Sequence, residues 1–158
     1  KAYIAGPMTN IAHFNFPTFD SVAAAWRAAG FIAVNPHEHD QETYPGIDEA
    51  AATQVGDVQA IREEVGFSYT DAMVYDLGEV IAAEAIIMLP GWAASTGAKA
   101  ERYVAEMTGK TVVLASRKYD GQELVASRHG WHFFLDPIQK RMVLSFLQAG
   151  QERMDYAY

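Results

Sequence analysis

The sequence predicts an α/β fold, because short apolar runs typical of strands alternate along it with longer segments of helical composition. Its 158 residues suit one domain built around one core, and half of them are hydrophobic. Alternation of this kind indicates a mainly parallel sheet with helices on both faces. We therefore expect a single Rossmann-like (flavodoxin-like) domain over residues 1–158, with about five strands.

The individual elements are predicted from apolar spacing and from the turn residues that end each run. The expected strands are Ala2–Ala5, Phe31–Val34, Ala85–Leu89, Thr111–Ala115 and the short aromatic run Trp131–Leu135. Helices are expected over residues 17–29, 47–65, 69–83, 97–107 and 138–148. The polar stretches 36–46 and 127–129 are expected to be loops. We expect Trp131, Phe133 and Phe134 to be exposed and to form a homodimer interface.

Composition excludes several classes of protein. There is no cysteine, so disulfides, thiolate catalysis and cysteine-based zinc sites are excluded. The net charge is −8 and no basic stretch is longer than Arg117-Lys118, which argues against binding to a nucleic-acid polymer. No apolar run is long enough for a membrane span, and no secretion signal is recognisable. We expect no membrane association and a cytoplasmic location, in a bacterium or a phage-infected host.

Ligands of parallel α/β sheets bind outside the carboxyl ends of the strands, where two loops are expected, at 6–16 and 90–96. The second loop runs through PGWAASTGAKAE (90–101) into a helix. Gly91 and Gly97 permit close backbone approach, and free N–H groups at the helix start can hold an anion beside Ser95. Helix capping by Ser95 or Thr96, with no ligand, explains the same residues about as well.

Two carboxylates and one aromatic residue lie near this segment. Glu101 is in the first or second turn of the helix, and Asp76 is on the helix upstream. Taken alone, each is more typical of a solvated helix residue. Trp92 is equally consistent with covering a ligand and with packing in the core or an interface. His37 and Asp40 lie in HEHD, which could ligate a metal, but a solvated loop is favoured and we expect no metal or cofactor.

Four segments together resemble the nucleoside 2-deoxyribosyltransferase superfamily, closest to a phage and bacterial branch that begins with a YIAGPM-like strand. They are AYIAGPM at 2–8, NFPTFDSVAAAWRAAGFIAVNP at 15–36, the Asp76 helix with AIIMLPGW, and STGAKAE at 95–101. The resemblance covers residue 1 to about residue 115. The superfamily includes deoxynucleoside 5′-monophosphate N-glycosidases and the CMP and hydroxymethyl-CMP hydrolases.

The resemblance implies a role for each matching residue. Glu101 matches the nucleophile that attacks the anomeric carbon, Asp76 the residue that assists proton transfer to the leaving base, and Tyr3 a residue that positions the nucleophile. The loop that borders the base matches Gly6, Pro7 and Met8. The phosphate site of the monophosphate hydrolases matches Ser95 and Gly97, and there a hydroxyl from a neighbouring subunit, for which Ser127 or Arg128 is a candidate, completes it.

These residue types suit cleavage of an N-glycosidic bond. A carboxylate stabilises the oxocarbenium-like transition state or bonds to it, and an acid protonates the leaving base. The Ser-Gly segment favours a nucleotide N-hydrolase that is a homodimer or higher homo-oligomer and acts on a nucleoside monophosphate. The alternatives are base exchange on free deoxynucleosides, a non-catalytic nucleotide-binding module and, more distantly, cleavage of NAD.

Overall fold

The computed structural model of the protein describes residues 1–139. Six strands form one sheet in the order β2-β1-β3-β4-β6-β5. Their bounds are β1 Ala2–Ala5, β2 Ala33–Val34, β3 Ala85–Met88, β4 Thr111–Ser116, β5 Leu124–Arg128 and β6 Trp131–Leu135. The first four are parallel to one another, whereas β6 is antiparallel to both β4 and β5. The α/β prediction is confirmed, with a mixed sheet and one strand more than expected.

The additional strand comes from a hairpin that the sequence reading missed. Arg128 pairs with Trp131 across the two-residue turn His129-Gly130, and both turn residues have positive φ. Such a turn matches the right-handed twist of paired strands, but histidine is an uncommon residue in it. The prediction of a loop at 127–129 is therefore wrong, since Ser127 and Arg128 belong to β5.

Six α-helices connect the strands. They are α1 Phe16–Ala28, α2 Pro36–Thr43, α3 Ile47–Ala52, α4 Val58–Val65, α5 Tyr69–Ala82 and α6 Thr96–Met107. The loop expected at 36–46 is wrong, because Asn35 caps α2 by accepting from the backbone N–H of His37 and Pro36 takes the first helical position. The helix expected over 47–65 is divided at Gly56, after which Asp57 caps α4. From residue 140 onward, the helix expected over 138–148 lies outside the described residues.

The helices cover both faces of the sheet, and the strands present alternate residues to them. Ile4 and Ile87 face α1 in one apolar cluster, whereas Tyr3 and Ile86 face α5 and α6 in another. Strand β1 therefore directs the Tyr3 side chain toward the helix that carries Glu101. No helix in residues 1–139 is long and apolar enough to cross a membrane.

The aromatic side chains of β6 are in the core. Trp131, Phe133 and Phe134 are 3%, 0% and 4% exposed, because β6 lies inside the sheet between β4 and β5. The expectation that they are exposed at a homodimer interface is wrong.

Candidate active site at the carboxyl edge of the sheet

A cavity of about 1090 Å³ opens at the carboxyl edge of the parallel strands. Residues that follow all four parallel strands line it: Gly6, Pro36, Pro90 and Arg117. Both loops that were expected near a ligand, 6–16 and 90–96, contribute to its wall. Its volume lies just above the ~300–1,000 Å³ typical of small-molecule sites.

Tyr3, Asp76 and Glu101 form what we call the carboxyl cluster, in the cavity wall that α5 and α6 complete. The Tyr3 hydroxyl donates a hydrogen bond of 3.0 Å to Oε1 of Glu101. Tyr3 is fully buried and Glu101 is 6% exposed, although these residues are 98 positions apart in the sequence. Glu101 reaches the cavity because it shares the buried side of α6 with Ala98 and Ala105, one turn away on either side.

Burial keeps the carboxyl cluster partly protonated. Burial and the nearby Asp76 charge raise the pKa of Glu101 to about 8, and the hydrogen bond from Tyr3 opposes this shift only in part. Burial raises the pKa of Asp76 to about 6, again against the effect of the Tyr3 hydroxyl. Burial and both carboxylates hold the pKa of Tyr3 well above its ordinary value. At neutral pH the two carboxyl groups therefore share about one proton, whose titration belongs to the pair.

A third carboxyl group with a raised pKa, Asp40, is buried near the carboxyl cluster. Burial, together with the charge of Asp76, raises the pKa of Asp40 to about 7, and His37 opposes the shift. Asp40 lies on α2, where the sequence predicts a loop, and the sequence suggests for Asp40 only a disfavoured role as a metal ligand. The Asn35-Pro36 start of this helix is the local signal that could have placed Asp40 on an ordered element.

Ser95 and Gly97 lie at the N-terminus of α6, on the cavity wall. The Ser95 hydroxyl oxygen caps the helix by accepting from the backbone N–H of Ala98 at 3.2 Å. A serine hydroxyl that accepts can still donate its own proton, and the first N–H groups of a helix have no acceptor within it. A Cβ on Gly97 would lie 3.4 Å from the hydroxyl of Tyr69, so glycine preserves space at this point. The cap and an anion site can coexist here.

The loop after β1 closes tightly on β3. A Cβ on Gly6 would lie 2.7 Å from the Leu89 side chain, so this position requires glycine. The carbonyl oxygen of Pro7 accepts from Nδ2 of Asn15 at 2.9 Å, which holds the loop against the start of α1. Met8 lines the cavity and packs between two apolar clusters. The three residues expected to border the base therefore lie together.

Gly91 and Trp92 differ in their relation to the cavity. Gly91 lines it, with a φ of 82° that turns the chain sharply after β3. Trp92 packs against the core under α6, and the Arg102 guanidinium stacks over its ring at 4.4 Å. Of the ten expected site residues, Trp92 is the one that does not line the cavity.

The HEHD segment holds no metal site within residues 1–139, where no cluster of three suitable ligands occurs. Instead, Asp20, His37 and Asp48 form what we call the histidine clamp. The Nδ1 atom of His37 lies 2.8 Å from Asp20 Oδ1, and its Nε2 atom lies 2.6 Å from Asp48 Oδ1. The ring also stacks on Phe16, with centroids 3.9 Å apart. These contacts join α1, α2 and α3.

The chain is thus an α/β protein that places a buried, hydrogen-bonded carboxyl group, Glu101, beside a second one, Asp76, at the carboxyl edge of its sheet. The model of the DUF4406 family, described as a domain of unknown function, matches residues 1–114. The chain therefore belongs to this family. No curated protein and no solved structure matches the chain.

Proposed function

We propose that the protein hydrolyses the N-glycosidic bond of a (deoxy)nucleoside 5′-monophosphate, on a Rossmann-like (flavodoxin-like) fold of the nucleoside 2-deoxyribosyltransferase type. The products are a free base and (deoxy)ribose 5-phosphate. One observation carries the proposal: Tyr3 hydrogen-bonds Glu101 beside Asp76 in the wall of a cavity large enough for a nucleotide. These are the three residues to which the resemblance assigns the chemistry.

The reaction needs one carboxylate and one carboxylic acid. Ionised Glu101 attacks the anomeric carbon, a C–O bond forms, and the C–N bond breaks. The bonding electron pair moves to the base nitrogen, which takes the proton of Asp76. Ionised Asp76 then removes a proton from water, which attacks the anomeric carbon and frees Glu101.

The number of protons that the carboxyl cluster holds at neutral pH matches the need for one carboxylate and one acid. A pair that holds about one proton at neutral pH contains one carboxylate and one carboxylic acid; because the pKa of Glu101 (about 8) exceeds that of Asp76 (about 6), the proton has to pass from Glu101 to Asp76 before Glu101 attacks. Full ionisation removes the acid, and full protonation removes the nucleophile. The Tyr3 hydrogen bond favours the ionised form of Glu101 and holds its carboxylate in one orientation.

The start of α6 supports a phosphate as the anion. The Ser95 hydroxyl and the leading N–H groups of the helix lie on the same cavity wall as Glu101, one and a half turns along α6. A 5′-phosphate bound there would set the sugar beside the nucleophile. Binding energy from the phosphate would thus be used to orient the reacting carbon.

A panel of ribo- and deoxyribonucleoside monophosphates tests the proposal, with free base and sugar phosphate quantified by chromatography. Each substrate is incubated with and without a second free base. We expect base release that does not depend on the second base. A newly formed nucleoside or nucleotide would instead identify base exchange. Saturable binding without turnover of any substrate would overturn the hydrolase proposal in favour of a binding module.

The assembly state remains a proposal that depends on the resemblance. We propose a homodimer or a higher homo-oligomer, and light scattering coupled to size-exclusion chromatography measures it. A monomeric mass at the enzyme concentration that supports turnover would contradict it.

A further inference from the structure

A second group of side chains lines the cavity on the opposite face of the sheet from the carboxyl cluster. The carboxyl cluster lies on the side of α5 and α6, whereas Ser21, on α1, and Trp131 belong to the side of α1. Arg117 follows β4 and lies beside this second group at the cavity rim. Among the described residues that line the cavity, Arg117 is the one lysine or arginine.

The Arg117 guanidinium is held in a defined position. It stacks over the Trp131 ring at 4.1 Å, and it donates to the carbonyl oxygen of His129 at 2.9 Å and to the Ser21 hydroxyl at 3.2 Å. The indole N–H of Trp131 donates to the same hydroxyl at 2.9 Å, so Ser21 ties the two side chains together. A fixed guanidinium loses less entropy on binding a ligand than a free one.

Arg117 retains donors for a ligand. A guanidinium has five N–H donors, and two are used in the bonds to His129 and Ser21. In residues 1–139, no carboxylate forms an ion pair with Arg117, although the chain carries a net charge of −8. Among residues 1–139 the side chain is thus a positioned cation on the cavity wall with no carboxylate in an ion pair, and it cannot accept a hydrogen bond.

We propose that Arg117 contacts the edge of the leaving base that lies far from the sugar. It selects bases that carry a carbonyl oxygen at that edge (oxo bases) over bases that carry an amino group there (amino bases); this inference rests on the proposed function. With the phosphate at the start of α6 and the sugar at Glu101, the base would occupy the part of the cavity toward the α1 side, which Arg117 lines. A group that only donates pairs with a ring carbonyl oxygen and leaves an exocyclic amino group opposed by N–H. It also stabilises negative charge that develops on the carbonyl oxygen as the C–N bond breaks.

Two matched substrate pairs test this selection, because the members of each pair differ only at one exocyclic group, carbonyl oxygen or amino, and at the adjacent ring nitrogen, which is N–H in the oxo base and an acceptor in the amino base. They are inosine against adenosine monophosphate and uridine against cytidine monophosphate. We expect kcat/KM to favour the oxo member by ~10- to 100-fold in the unmodified protein. Arg117→Gln should bring the ratio to within ~3-fold of one, because an amide both donates and accepts, and Arg117→Lys should give an intermediate ratio.

Lys118→Gln is the matched control, since Lys118 is the adjacent exposed cation and does not line the cavity. It should leave the oxo-to-amino ratio unchanged. Ratios near one in the unmodified protein, or an unchanged ratio in Arg117→Gln, would overturn the inference. A purely structural role of Arg117 would lower both members equally and so would also overturn it.

Binding separates this inference from the proposed hydrolysis. Calorimetry with the Glu101→Gln variant and the same four nucleotides measures the preference without turnover. An oxo preference that Arg117→Gln removes supports the inference even if no substrate is cleaved. Cleavage with no such preference in rate or affinity supports the hydrolase and overturns the inference.

Discussion

The histidine clamp and the carboxyl cluster both place two carboxylates around a buried polar side chain, but they are balanced differently. In the clamp, both ring nitrogens of His37 lie within hydrogen-bond distance of a carboxylate oxygen. Burial opposes ionisation of Asp48, yet hydrogen bonds from Gln41 and His37 lower its pKa. Asp20 and Asp48 also remain about half exposed to water.

The carboxyl cluster has no such compensation. Glu101 is buried with one neutral hydroxyl donor and a second acid as neighbours, so its pKa rises to about 8 instead of falling. In residues 1–139, no lysine or arginine forms an ion pair with Glu101 or Asp76. The comparison teaches that a buried polar side chain with matched hydrogen-bond partners is typical of structure, whereas acids without such partners that line a cavity are typical of reaction chemistry.

Glu101→Gln should produce the largest effect. The amide can still accept the Tyr3 hydrogen bond but cannot attack the sugar, so base release should fall at least ~1,000-fold. Steady-state assays of free base on the best monophosphate measure it. Glu64→Gln, at an exposed position on α4, is the control and should leave the rate unchanged. Retention of more than a tenth of the activity in Glu101→Gln would remove the distinction between the two regions.

The same substitution should stabilise the protein at alkaline pH. The folded state holds the Glu101 proton up to a pKa of about 8, whereas the unfolded state releases it near the ordinary value of 4.5. Unfolding free energy therefore falls as pH rises through this window, and glutamine removes that loss. Urea unfolding at pH 5 and pH 9 should show Glu101→Gln gaining, relative to the unmodified protein, on the order of a few kcal/mol. A pH-independent difference would show that Glu101 ionises at no cost.

His37→Gln should act on stability and leave the chemistry intact. One glutamine amide cannot donate to both Asp20 and Asp48 in the geometry of the ring, so we expect a loss of ~1–3 kcal/mol. Denaturant unfolding measures the loss, with His39→Gln on the same helix as a milder control. The kcat of folded protein should change less than ~3-fold. A loss of kcat comparable to that of Glu101→Gln would mean that the clamp belongs to the active site.

Ser95→Ala should give the smallest change in stability, about 1 kcal/mol, from loss of the α6 cap. It should also weaken the affinity for a monophosphate more than for the corresponding nucleoside. Ser68→Ala is the matched control, because Ser68 caps α5 through Asp71 and does not line the cavity. Equal affinity changes for the two ligands would reduce Ser95 to a capping residue.

Local pattern predicted the parallel part of the fold well and the histidine clamp not at all. Buried strands such as Ala2–Ala5 and Ala85–Met88 show directly as apolar runs. The polar composition of α2 hid a helix whose start depends on one cap and one proline. The hairpin that adds β5 depends on positive φ at His129, which no hydrophobic pattern reveals.

The site residues also divide into those that the sequence predicts from local pattern and those that depend on tertiary packing. The loops at the carboxyl ends of the strands were predictable from topology, because parallel strands place their ends at one edge. The contact between Tyr3 and Glu101 depends on the packing of α6 on the sheet, 98 residues away in sequence, so only the resemblance suggested it. Arg117 and Asp40 were missed because their significance comes from what surrounds them in space.

The pH dependence of base release tests the central claim most directly. A pair that shares one proton predicts a bell-shaped kcat/KM profile, falling below about pH 6 as Glu101 and Asp76 both become protonated and above about pH 8 as both become ionised. Asp76→Asn should remove the alkaline limb and lower the maximum ~100- to 10,000-fold. A profile that is flat from pH 5 to pH 9, or an alkaline limb retained in Asp76→Asn, would contradict the account.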